Sequence, residues 1–464
     1  MSTQIILRVL ALRHRLRQRD RWMRQRLDEH QGRALHRLRG YAYARSPFYG
    51  QFHRGLADRP LNELPVLTKE MAMEHFDALV TDPTVRLADV EAHLATLSGG
   101  DELFNGRYRV ASTSGSTGRR GLFLWDPDEW ATVLASYNRS FDWAGVGAGL
   151  THRTRMAVVS STTPWHQSAR VGASVHSPWV PTLRIDSGDT LESIVERLGG
   201  FQPKVLVAYA SMAHLLAEEQ LAGRLRISPG FVFGCSGVFT EQARRRVEEA
   251  WGKKPFEVYA ATEPAGIASE CDLHKGMHLF EDLVITEVVD EDNMPVPPGV
   301  YGDKVLVTVL FSRTMPLIRY EMSDSVRPAS SPHCPCGRPF ALIDGIQGRA
   351  EDVLRFPAVS GGQVLVQPIV FHRVMDAVPA GGWQVVQGSE GLSVLLSGVR
   401  EGFADVTLVD SLKRELAAQG AIVPPVKVRR VPTIPRTIVG KAPLIKSYMP
   451  TPEVPRSGII REEP

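Results

Sequence analysis

Ten consecutive residues, Ser112-Thr113-Ser114-Gly115-Ser116-Thr117-Gly118-Arg119-Arg120-Gly121, hold five hydroxyls, three glycines and two arginines. Glycines let backbone N–H groups turn toward a ligand, and the hydroxyl and guanidinium groups add donors. A loop of this make-up can wrap a polyphosphate. Tyr108 and Val110 alternate into it and Leu122 to Trp125 run out of it, so the stretch reads as strand, tight loop, strand. It differs from a P-loop, which needs a Gly-Lys-Ser/Thr opening a helix. A solvated Ser/Gly loop would look the same in isolation.

A second group of residues has metal chemistry. Cys271, Cys334 and Cys336, with His278 or His274 and with His333 nearby, offer three thiolates and an imidazole. That donor set suits a tetrahedral structural Zn2+, stapling segments about sixty residues apart. Cys271-x-x-His274 has the tighter local bite. Unliganded, reduced cysteines are the alternative. Cys235 stands apart and reads as a small apolar residue; no catalytic thiol is expected.

The elements that must position these groups follow from periodicity. Val205–Tyr209, Phe231–Phe233 and Phe256–Tyr259 read as strands, separated by helices over 211–219 and 240–251. Strand, helix, strand at this rhythm is α/β with parallel pairing. Ligands then sit at the carboxyl ends of the strands, which puts Gly234–Gly237 beside Tyr259–Glu263. Asp128 to Trp143 reads as a helix, and Thr68 as the cap of another over 69–79. Val158 runs as a strand into a loop ending Trp165-His166. After Glu281 the pattern turns antiparallel, and beyond about 352 the elements are short, with a loose tail after Pro450.

Composition narrows the classes. A chain of 464 residues exceeds one ordinary core. A formal charge of +3 does not suit a general polyanion binder. Residues 1–45 are Arg-rich with leucines at helical spacing, but Asp20, Asp28 and Glu29 interrupt the arginines. A packed helix with a solvated basic face is therefore expected, with neither a nucleic-acid nor a membrane partner. Residues 1–40 offer a single aromatic among the basic residues, Trp22, which argues against a nucleic-acid role. No apolar run reaches spanning length, no signal-peptide order is present, and four cysteines are too few for a disulfide framework. A cytoplasmic protein is the expectation.

Five blocks stand in order: the 112–121 loop; Tyr259-Ala260-Ala261-Thr262-Glu263; Arg319 to Asp324; Gly348-Arg349-Ala350-Glu351-Asp352; and Pro435 to Lys441. As a set they resemble the adenylate-forming superfamily, and the Cys-Pro-Cys-Gly-Arg stretch and helical N-terminus look most like its phenylacetate–coenzyme A ligase branch. The resemblance covers roughly residues 45–445. It implies an α/β fold: a large N-terminal domain over 1–350, with parallel-rich sheets, helices and a smaller antiparallel β subdomain, and a small α+β lid over 351–464. It implies ATP-dependent activation of a carboxylic acid, aryl or arylacetic, to an acyl-adenylate, then transfer to coenzyme A. A carrier-protein thiol or an amine is the alternative acceptor, and a homodimer stays open.

By the same resemblance, Ser112, Thr113, Ser114, Gly115, Ser116, Thr117 and Gly118 hold the β- and γ-phosphates of ATP. Glu263 holds Mg2+, and Thr262 touches the α-phosphate. Asp324 accepts from the ribose hydroxyls and Arg349 lies near ribose and phosphate. Gly234, Cys235, Ser236 and Tyr259, with Ala260 and Ala261, frame the adenine. Lys441 bridges substrate carboxylate and α-phosphate, Glu351 marks the hinge, and His166 sits beside the acyl carboxylate. Trp143, Trp165, Tyr209 and Ser211 are expected to line the acyl pocket. The Gly-Met-His-Leu-Phe-Glu-Asp setting resembles a recurrent family segment and favours His278 as the fourth metal ligand.

Overall fold

The computed structural model describes residues 3–113, 120–147, 153–174, 177–331, 333–349, 352–435 and 444–448. These fall into two compact units: Met1–Val353 with Gln367–Ala377, and Leu354–Val366 with Val378–Pro435 and the short strand near residue 446.

In the larger unit the hydroxyl-rich stretch is flanked by β1 (Arg109–Ser112) and β2 (Leu122–Trp125), antiparallel with Ser112 opposite Leu122. The main sheet collects β3 (Met156–Ser160), β4 (Thr182–Asp186), β5 (Val205–Tyr209), β6 (Phe231–Cys235), β7 (Phe256–Ala261), β8 (Ala265–Glu270) and β9 (Met277–Leu279). The chain then forms a three-stranded antiparallel sheet from β10 (Val284–Val289), β11 (Lys304–Val309) and β12 (Tyr320–Met322). It rejoins the main sheet with β13 (Asp324–Pro328) and β14 (Leu342–Arg349). The nine strands run in the order β13-β14-β9-β8-β7-β6-β5-β3-β4. The five from β7 to β4 are parallel, and the rest pair antiparallel.

Local chemistry sets these elements. The crossover helix Glu241–Trp251 starts where the Thr240 side chain accepts from Ala243 N–H, and it stops at Gly252, whose φ of 65° is left-handed. Its Ala243 and Val247 bury against Val232, Leu206 and the Ala210–Leu221 helix. The helix Pro127–Trp143 opens with a capping box, Asp126 and Glu129 each accepting from the other's backbone. The expected 69–79 helix is broken at His75 (φ −104°, ψ 21°) into Lys69–Glu74 and Phe76–Leu79, with Thr68 capping the first.

The basic N-terminal helices, Thr3–Arg19 and Arg24–Arg45, pair several of their arginines with acids elsewhere in the larger unit. Arg13 and Arg17 pair with Asp142, Arg19 with Asp282, and Arg24 with Glu281. Arg139, buried behind them, is shared between Asp20 and Asp282. No helix among the described residues is long and apolar enough to cross a membrane.

The smaller unit has a hairpin, β15 (Leu354–Pro357) and β16 (Gln363–Val366), and a sheet of β17 (Gly382–Gly388), β18 (Gly391–Ser397), β19 (Val426–Arg430) and β20 (Ile445–Ser447), in the order β19-β18-β17-β20. The helix Asp405–Ala418 buries Leu408, Leu412 and Leu416. The helix Pro368–Met375 lies in the range expected for the lid yet groups with the larger unit. There a Cβ on Gly348 would come within 2.6 Å of Pro368, so glycine is what allows the approach.

Candidate active site and metal centre

Parallel strands place their carboxyl ends on one edge, where open α/β sheets hold ligands. Here β3 ends at Ser160, β5 at Tyr209, β6 at Cys235 and β7 at Ala261. The segment after β3 ties several blocks together. Ser161 N–H donates to Tyr209 Oη (2.8 Å), and Ser161 Oγ is hydrogen-bonded to His166 Nδ1 (2.7 Å). The Trp165 carbonyl accepts from Ser112 N–H at 2.9 Å, at the foot of the hydroxyl-rich loop. Gln167 Nε2 donates to the Thr262 carbonyl (2.9 Å), and Tyr137 Oη donates to Gln167 Oε1 (2.7 Å).

Thr262 and Glu263 lie in the turn between β7 and β8. Tyr320 Oη donates to Glu263 Oε1 at 3.4 Å, and the Tyr320 ring meets Phe123 of β2 edge to face. Burial pushes the Glu263 carboxyl above its ordinary range, with Arg349 opposing and Asp324 adding to the rise. Asp324 and Arg349 are opposite one another in the β13–β14 ladder, so Arg349 Nε reaches Asp324 Oδ1 at 3.2 Å while Tyr259 Oη donates to Asp324 Oδ2 at 3.0 Å. Tyr259, Asp324 and Arg349 thus form one chain across the sheet.

On β6, a Cβ at Gly234 would come within 2.5 Å of Phe239, so the close turn requires glycine. Ser236 follows with a left-handed φ of 53°. Burial pushes the Cys235 thiol up to about 11, which keeps it protonated and unreactive. Ala260 and Ala261 lie at an irregularity in the β7–β8 pairing. Ser211 is exposed on the first turn of the Ala210–Leu221 helix. Ser114, Gly115, Ser116, Thr117, Gly118, Glu351 and Lys441 lie outside the described residues.

Trp143 departs from the expected acyl pocket. Its Nε1–H donates to Asp20 (2.8 Å), and its ring packs edge-on against His278 and Phe280. An indole needs an acceptor once buried, and Asp20, just past the Thr3–Arg19 helix, supplies one. Trp143 therefore belongs to the core beside the cysteines, while Trp165, His166 and Tyr209 keep company at the strand ends.

Cys271, His278, Cys334 and Cys336 converge, their ligand atoms all within 4.8 Å of one another. Cys271 Sγ lies 3.8 Å from Cys334 Sγ, and Cys336 Sγ 3.3 Å from His278 Nε2. The β8–β9 turn and the β9–β14 pairing bring them together, with Leu342 opposite His278. Burial, with Arg338 and Arg139 nearby, holds His278 down at about 4, so its imidazole is neutral. His274 turns away instead: its Nδ1 faces Glu270 at 3.3 Å and its ring lies on Phe256.

No family model matches the chain. It is 28% identical over 393 residues to a phenylacetate-coenzyme A ligase of Thermus thermophilus, covering 79% of this chain and 80% of that protein. Among solved structures, 2-hydroxyisobutyryl-CoA ligase in complex with an acyl-AMP superposes with a TM-score of 0.66 at 19% identity, over 92% of this chain and 90% of that one. In sequence the chain is similar to that phenylacetate-coenzyme A ligase, and in fold to 2-hydroxyisobutyryl-CoA ligase. Protein CapK of Staphylococcus aureus is also similar, at 24% over 273 residues, spanning 57% of this chain and 54% of CapK.

Three residues at the site had no role assigned from the sequence: Tyr137, Gln167 and Tyr320. Tyr137 is internal to a helix and Gln167 opens one. Their partners are thirty or more positions away, so no local pattern marks them.

Proposed function

We propose that this chain activates a carboxylic acid with ATP and passes the acyl group to coenzyme A. In the first step an acid oxygen attacks the α-phosphorus, the bond to the bridging oxygen breaks, and pyrophosphate leaves. In the second, the coenzyme A sulfur attacks the acyl carbonyl, loses its proton and displaces AMP. The observation that carries the reading is the convergence, on one sheet edge, of Glu263, the Tyr259–Asp324–Arg349 chain and the foot of the hydroxyl-rich loop.

Asp324 accepts from the ribose hydroxyls, Arg349 lies by ribose and phosphate, and Gly234 to Ser236 with Tyr259 to Ala261 frame the base. Ser112 to Gly118 wrap the outer phosphates, and Thr262 touches the α-phosphate. Glu263 would hold Mg2+, whose preference for hard oxygen ligands matches a buried carboxylate beside phosphate; bound there, the ion neutralises charge on the phosphates. His166 and Trp165 lie beside the acid, Tyr209 and Ser211 line its pocket, and the acid is an aryl or arylacetic one. Lys441 bridges carboxylate and α-phosphate, and Glu351 is the pivot of a lid over 351–464. Three sulfurs and a neutral imidazole within 4.8 Å fit Zn2+ in a closed structural site, held by Cys271, His278, Cys334 and Cys336.

ATP–pyrophosphate exchange across a panel of carboxylic acids, first without and then with coenzyme A, tests this. Acid-dependent exchange followed by a thioester is the expected result. Exchange that yields no thioester overturns the choice of acceptor, and ATP binding with no exchange on any acid overturns the reaction.

A further inference from the structure

The segment 161–167 meets three separate parts of the site at once. It holds Tyr209 through Ser161 N–H, the foot of the hydroxyl-rich loop through the Trp165 carbonyl, and the β7–β8 turn through Gln167. The last link is the only one of these three made by a side chain of the segment. Gln167 is buried at the start of a short helix, Gln167–Ser174. Its amide is used at both ends, accepting from Tyr137 at 2.7 Å and donating to the Thr262 carbonyl at 2.9 Å. An amide spans that gap because it carries a donor and an acceptor on one planar group. A carboxylate in its place would keep the bond from Tyr137 and face the Thr262 carbonyl with a second acceptor.

The geometry points to Gln167 as a positioning residue: oriented by Tyr137, it fixes the Thr262–Glu263 turn relative to the acid side of the site. This deepens the acid-activation reading and rests on it. A carboxylate that must meet a cation and a phosphate tolerates little displacement, since an error of about 1 Å can cost on the order of a hundredfold in rate. The turn's own backbone pairing is irregular, with a register shift just before Ala260, so the side-chain tie replaces part of the missing ladder.

Three variants test this: Gln167→Leu, Gln167→Glu and Tyr137→Phe. Exchange is measured against ATP and against Mg2+, alongside thermal unfolding. Gln167→Leu and Gln167→Glu are expected to lower kcat by roughly tenfold to a hundredfold and to raise the Mg2+ concentration for half-maximal rate. Tyr137→Phe should do the same more weakly, by about two- to fivefold, and keeps the test alive if either Gln167 variant does not fold. A lowered unfolding temperature with wild-type kcat and Mg2+ dependence would mean a merely structural contact and overturn the inference. Wild-type behaviour in all three would overturn it too. Absence of exchange in the parent protein, by contrast, would count against the acid-activation reading itself.

Discussion

At the scale of single residues, the site depends on a few charges held where water cannot reach them well. Asp324 receives Tyr259 and Arg349, and in the proposed role its remaining lone pairs accept from ribose hydroxyls. Asp324→Ala is expected to raise the KM for ATP by about tenfold to a hundredfold, the range of charge-assisted hydrogen bonds. Calorimetric ATP affinity equal to the parent's would refute that role. For Glu263→Gln, exchange should fall by about a hundredfold or more and no longer saturate at ordinary Mg2+; unchanged Mg2+ dependence would send the cation elsewhere. The residues whose placement was legible in the sequence are those set by the end of their own strand. Thr262 and Glu263 follow directly on β7, Gly234 lies at the end of β6, and Ser236 follows just after it. Trp143 was not legible, because the acceptor for its indole is Asp20, far away in the chain.

At the scale of elements, β14 has two duties. Its first residue, Leu342, lies opposite His278 in the cysteine cluster, and its last, Arg349, lies opposite Asp324. The choice between His274 and His278 was open from spacing alone. It is decided by β9, whose pairing with β14 and β8 turns His278 toward the cysteines, while His274 sits in a left-handed turn (φ 49°) facing Glu270. The purified protein is expected to carry about one zinc per chain, and Cys336→Ser to lose it and unfold at least about 5 °C lower. A metal-free parent by elemental analysis, with an unfolding temperature indifferent to chelators, would leave the cluster as four packed side chains.

At the scale of the whole molecule, stability should decline in mild acid. Burial holds His53 down at about 4, helped by Arg39, and burial holds His372 at about 4. The unfolded chain takes up these protons near 6.5, whereas the folded one resists until about 4. Stability from this source is therefore full above pH 6.5 and lost as pH falls from 6.5 toward 4, by about 1–2 kcal/mol per histidine at pH 5. Urea midpoints for the parent and His53→Gln at pH 7.5 and 5 check this. The variant should lose less, and equal losses would show that His53 does not titrate as described. The alternation of parallel strands and helices was readable because each strand is a short apolar run closed by turn residues. The order in which nine strands assemble was not, since β13 and β14 return to the sheet only after the three-stranded excursion. Long-range pairing of that kind leaves no periodic trace.

The crowding of ties on residues 161–167 has a consequence for how the preference among acids, on the function proposed above, could change. Mutations are tolerated most easily where a side chain serves one purpose. Ser161, Trp165 and Gln167 each anchor another part of the site through backbone or side chain, so drift there would spoil the reaction along with the preference. Ser211, on the first turn of the helix that follows β5, is freer: it is exposed and takes part in none of these three ties. A library built to accept new acids would do better to randomise Ser211 than the seven residues 161–167.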